Sequence, residues 1–76
     1  MEEKIMLILN GICGAEPGEL ELNMDLFESG LLDSFGVAEL LVGLEESFSL
    51  TLDIAELSRE QIATPARIIQ LVRQAL

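Results

Sequence analysis

The sequence predicts an all-α fold: a small four-helix bundle of three main helices and one short helix, with a long first loop. Three observations carry this. Apolar residues recur at helical spacing in three separate stretches. Capping and breaking residues stand at the ends of those stretches. The one stretch that alternates like a strand, Leu50 to Ile54, has no second strand to pair with, and a lone strand is not viable.

The first helix is expected over roughly residues 2 to 13. Ile5, Ile8, Leu9 and Ile12 share one face, Met6 and Cys13 lie close to it, and Gly14 is a suitable C-terminal stop. Residues 14 to 33, rich in Gly, Glu, Asn, Asp and Ser and containing Pro17, read as a loop. Loops of about 20 residues are uncommon in compact domains and are usually functional. Leu20, Leu22, Leu26, Phe27, Leu31 and Leu32 are expected to anchor it to the helices.

The second helix is expected from Ser34 to Phe48, with Val37, Leu40, Leu41, Leu44 and Phe48 as its apolar stripe. Asp33 suits the N-cap, because its carboxylate accepts from a free amide of the first turn and its charge complements the helix dipole. After an extended segment, Ser58 to Gln61 matches a capping box opening a short helix through Ile62. Thr64 as N-cap and Pro65 at the first helical position start the last helix, which runs to about Ala75. Ile68, Ile69, Leu71, Val72 and Leu76 are expected on or near its buried side.

Seventy-six residues, half of them apolar, fit one domain spanning 1–76 with a core of Leu, Ile and Val, since the aromatics are only Phe27, Phe35 and Phe48. Fourteen acids against four bases give a net charge of −10. That charge opposes binding to nucleic acid and to anionic lipid, and steers the chain toward basic protein surfaces; solubility alone is the simpler reading. With no histidine, the chain lacks the commonest general base and the commonest metal ligand. Cys13 has no partner for a disulfide and reads as a small buried hydrophobe. The start is net negative and its apolar run, Ile5 to Leu9, is short for a signal peptide. No stretch approaches membrane-spanning length, so a cytoplasmic location without membrane insertion is expected.

Ser34 is the residue of chemical interest. It has no histidine or lysine nearby to act as base, so it is a poor nucleophile of its own. A hydroxyl on an exposed helix N-terminus is, however, well placed to carry a phosphoester, because the open amides and the dipole favour an anion there. Phe35, Ala38 and Val42 form a second apolar line on the same helix, with Glu39 and Glu46 on that side. Two readings stand: a wide core face, or an exposed apolar strip rimmed by acids that docks a partner. Gly36 and Gly43 each cost roughly 1 kcal/mol against Ala in a helix and imply close approach of loop backbone or of a partner.

These residues together resemble the acyl carrier protein family. The resemblance covers nearly the whole chain. It rests on the acidic balance, the long first loop, Asp25-Leu26-Phe27 followed by Gly30-Leu31-Leu32-Asp33-Ser34, and the Thr64-Pro65 start of the last helix. It implies that Ser34 is esterified with 4′-phosphopantetheine, taken from coenzyme A by a magnesium-dependent phosphopantetheinyl transferase. The thiol of that arm would hold an acyl or aminoacyl cargo as a thioester. It further implies docking through Asp33, Phe35, Ala38, Glu39, Val42, Glu46 and Ile54, and partners that include a cargo-loading ligase or acyltransferase and downstream synthases with basic surfaces; a monomer is the default expectation.

Common fatty-acid carriers have Leu or Met in place of Phe35, often an acid in place of Gly36, and a shorter segment between Phe48 and Thr64. The run from Leu26 to Ser34 is more similar to D-alanyl carrier proteins and specialised stand-alone carriers. D-alanine and a fatty or polyketide acyl chain are therefore the alternative cargoes. An unmodified helical adaptor is the alternative to the carrier role, and a small enzyme is disfavoured by the missing histidine.

Overall fold

The computed structural model describes residues 1–16, 18–53 and 55–76. Its elements in order are α1 (Glu2–Cys13), α2 (Ser34–Phe48), a one-turn 3-10 helix (Arg59–Ile62) and α3 (Pro65–Ala75), with no strand among the described residues. The fold is the expected small helical bundle. Pro17, expected in the first loop, and Ile54, expected to dock partners, lie outside the described residues.

Local chemistry sets each helix end. α1 stops at Gly14, which is left-handed at φ 66°, and the Ala15 amide donates to Asn10 O at 2.9 Å. α3 starts where Thr64 Oγ1 accepts from the Arg67 amide at 3.2 Å, with Pro65 in the first turn. The short helix is a single 3-10 turn, and Gln61 Oε1 reaches back to accept from the Ser58 amide at 2.9 Å, as a capping box requires.

The core lies where the three helical stripes meet. Ile5 and Leu9 of α1, Leu40 and Leu44 of α2, and Ile68 and Val72 of α3 are fully buried, and α1 packs against both other helices. The loop from 14 to 33 closes one side by pushing Leu20, Leu26 and Leu32 into this core, with Phe27 and Leu31 half-buried against it. Lys4 Nζ ties α1 to the end of α2 through the Ser47 carbonyl at 3.3 Å and stands 5.5 Å from the centre of the Phe48 ring.

Four expectations change. Leu22 is not a side-chain anchor, being 52% exposed; its carbonyl instead accepts from the Ala66 amide at 2.9 Å, so the backbone does the anchoring. Leu76 is 68% exposed, because it follows the last turn of α3 and has no helix left to pack on. Cys13 is half-buried rather than buried, and burial still pushes its thiol pKa up. The glycines of α2 are approached by side chains rather than by loop backbone. A Cβ on Gly36 would stand 3.0 Å from Leu32 Cδ1 of the first loop and 3.3 Å from Ile12 Cγ2 of α1, and one on Gly43 would stand 3.2 Å from Ile8 Cγ2, so α1 approaches at both positions and the loop also closes on Gly36.

Candidate functional site

The segment leading to Ser34 folds into a tight reversal. Asp25 Oδ1 accepts from the amides of Phe27 at 3.0 Å and Glu28 at 2.9 Å, which makes the aspartate the staple of the turn. Gly30 follows at φ 78°, a left-handed conformation that a side chain would strain. The amides of Leu31 and Leu32 both donate to Leu26 O at 3.0 Å, and the Leu26 amide donates to Ala63 O at 2.8 Å. Leu26, fully buried, is therefore the pivot that fixes the approach to α2 against the segment before α3.

Asp33 then takes an extended conformation, and its Oδ1 accepts from the Gly36 amide at 2.8 Å. It is the N-cap, as its position in the sequence implies. Ser34 is the first residue of α2 and is exposed to solvent. The amides of Ser34 and Phe35 lie in the first turn, where helix geometry supplies no acceptor. The hydroxyl thus stands at the positive end of α2, and α2 carries no acid in its first turn.

Beside Ser34 is a shallow hollow of about 250 Å³ lined by Phe27, Ser34, Val37, Leu57, Ser58, Arg59 and Ile62. The Arg59 guanidinium carbon lies 4.2 Å from the centre of the Phe27 ring. On the outer side of α2, Phe35 is 73% and Val42 53% exposed, and Ala38, Glu39 and Glu46 are exposed with them. The second apolar line is therefore surface and not core. Asp33 is exposed at its head. Glu45 acts differently, because its Oε2 accepts from the Leu52 amide at 3.1 Å and holds the segment after α2.

An exposed hydroxyl on a helix N-terminus capped by Asp33, sharing a hollow with an arginine, fits a covalent phosphoester. Comparison with known proteins bears on the same point. The sequence pattern of the phosphopantetheine attachment site family matches residues 3–72. The chain belongs to this family of acyl carrier protein-like carriers.

Its cofactor is covalent 4′-phosphopantetheine. Similar proteins include the D-alanyl carrier protein of Abiotrophia defectiva, 36% identical over 97% of this chain and 94% of the relative. That of Lacticaseibacillus casei is 38% identical over 93% and 88%, and that of Leuconostoc citreum 36% identical over 100% and 96%. No described helix of this carrier is long and apolar enough to cross a membrane.

Sequence reasoning assigns no role in the site to the Asp25 carboxylate, to the Gly30 backbone or to Arg59. The Asp25 staple is findable, since an aspartate shortly before a glycine at a break in the pattern is the signal of a side-chain-stapled turn. Arg59 carries no such signal, because only the tertiary fold brings the 3-10 turn alongside the start of α2.

Proposed function

We propose that Ser34 is the residue that carries the 4′-phosphopantetheine arm, and that the cargo is D-alanine held as a thioester on the arm's thiol. The exposed Ser34 hydroxyl, at a helix start whose cap is occupied by Asp33, is the observation that carries the first part. In the loading step Ser34 Oγ displaces the adenosine bisphosphate half of coenzyme A from the phosphorus. The transferase supplies the base that takes the hydroxyl proton, since this chain has no histidine to do so. The chain acts as a tethered substrate of other enzymes rather than as a catalyst.

The cargo reading rests on the relatives, which include D-alanyl carrier proteins from several genera. It also agrees with the chemistry of the bundle. A D-alanyl thioester carries a free ammonium, and burying that charge among Leu40, Leu44, Ile68 and Val72 would cost far more than leaving it in water. Such a cargo stays outside, on the arm, where partners reach it.

The partners in this reading are a phosphopantetheinyl transferase, a ligase that activates D-alanine, and an acceptor enzyme with a basic docking surface. They bind Phe35, Ala38 and Val42 within the acidic rim of Asp33, Glu39 and Glu46. The carrier works as a monomeric domain, 1–76, in the cytoplasm.

The test is mass spectrometry of the chain and of Ser34→Ala after incubation with coenzyme A and a broad-specificity transferase. The wild type gains the arm and the folded variant does not; arm mass on the variant places the attachment elsewhere. Incubation of the loaded chain with a D-alanine-activating ligase, ATP and D-alanine then adds the aminoacyl mass. A chain that accepts the arm but only fatty acyl groups rejects the cargo assignment and leaves the carrier role intact.

A further inference from the structure

We propose that Arg59 binds the phosphodiester joining the arm to Ser34, and that the hollow between α2 and the 3-10 turn receives the phosphate end of the arm. This rests on the assignment of the arm to Ser34 above. The four bases of the chain have distinct surroundings. Arg73 is ion-paired to Glu2 at 2.8 Å, Lys4 is engaged with the Ser47 carbonyl, and Arg67 lines a separate hollow with Gln61, Gln70 and Gln74. Arg59 shares a hollow with Ser34, and among the described residues it makes no ion pair.

The geometry suits an anion. Stacking on Phe27, at 4.2 Å, occupies one face of the guanidinium and restricts its head, while the N–H groups along its edge stay available. A planar fork of donors is the side chain best matched to phosphate oxygens. The arm adds negative charge to a chain already at −10, so a cation at the attachment point offsets an electrostatic cost. Asp25, Glu28 and Glu60 line a second hollow that also includes Phe27 and Arg59. They compete for the arginine's charge there, and the phosphodiester would draw it toward Ser34.

The rest of the hollow matches the part of the arm beyond the phosphate. The arm continues with a carbon bearing two methyl groups and then with amides. Val37 and Leu57 offer apolar wall, and the Ser58 hydroxyl, engaged with Gln61 in the capping box, borders it. At about 250 Å³ the hollow is smaller than the roughly 300–1,000 Å³ pockets that enclose small ligands. It takes the phosphate end and leaves the thiol in solvent, which is what handing cargo to a partner requires.

The experiment uses the loaded protein with Cys13→Ala, so that the arm carries the one thiol, and compares Arg59 with Arg59→Gln and Arg59→Lys. Arg59 is exposed, so both variants keep the fold, and mass spectrometry verifies that each carries the arm at Ser34. The phosphorus NMR signal and the NOEs from the paired arm methyls to Val37 and Leu57 are then recorded. With Arg59, these NOEs are present and the phosphorus line is broader than in free coenzyme A. Arg59→Gln loses the NOEs and narrows the line, and Arg59→Lys, which keeps charge without the fork, falls between. Identical phosphorus signals and NOEs in all three loaded proteins overturn the role of Arg59 while leaving the attachment in place. A chain that takes no arm at Ser34, judged by mass alone, overturns both readings.

Discussion

Phe35 is a large apolar side chain left 73% exposed one residue beyond Ser34. Truncating an ordinary surface side chain changes stability by less than about 1 kcal/mol, whereas emptying a core site of a Phe costs roughly 3 kcal/mol or more. Phe35→Ala should therefore leave the unfolding free energy within about 1 kcal/mol of wild type, while slowing loading by the transferase, as the docking surface proposed above requires. Denaturant unfolding and loading rate measured on the same variant decide the matter; a stability loss of core size removes Phe35 from the docking surface. Asp33 and Ser34 are legible in the sequence because a cap is a local device, needing only the right side chain a few residues from free amides. Leu22 is not legible in the same way. Its loop is held by a carbonyl, and hydrophobicity says nothing about which end of a residue does the anchoring.

Helix boundaries are legible because Gly14, Asp33, Thr64 and Pro65 mark their own ends. What one helix does to another is not local, and Gly36 and Gly43 show it. Both sit where α1 crosses α2, yet their surroundings differ. A Cβ at Gly36 meets Leu32 Cδ1 at 3.0 Å, Ile12 Cγ2 at 3.3 Å and Asp33 Oδ1 at 3.4 Å, so it is hemmed in from three sides, by a buried leucine, by Ile12 and by the cap itself. At Gly43 the crowding comes from Ile8 alone, at 3.2 Å, and Ile8 is half-buried with room to give. Replacing helical Gly by Ala gains up to about 1 kcal/mol of helix propensity at either site. Gly43→Ala should keep much of that gain and unfold at or above the wild-type midpoint. Gly36→Ala should lose it to overpacking, a cost of about 1–3 kcal/mol, and to a disturbed cap. Equal stabilities for the two variants, measured by denaturant unfolding, would show that α1 yields as easily at one crossing as at the other.

Charge acts on the whole molecule at once. Ten net negative charges are confined to a body of 27 × 23 × 19 Å. The Debye length is about 30 Å at 0.01 M salt and about 8 Å at 0.15 M. At the lower ionic strength it exceeds the longest axis, so each acid is repelled by acids on every face. At the higher one, repulsion is confined to near neighbours. The described ion pair, Arg73 with Glu2, is exposed and so contributes little that salt could take away. Unfolding spreads the acids apart, so the self-repulsion weighs on the folded state more than on the unfolded one. Screening should then favour folding: the melting temperature should climb steeply between about 0.01 and 0.15 M monovalent salt and flatten above that range. Millimolar magnesium should raise it further at equal ionic strength, because a divalent ion gathers near paired acids more strongly than a monovalent one. A melting temperature that stays level from low salt upward would mean that the acids are already far enough apart in the folded chain. The high charge would then act only in steering the carrier to basic partners and would leave its stability untouched.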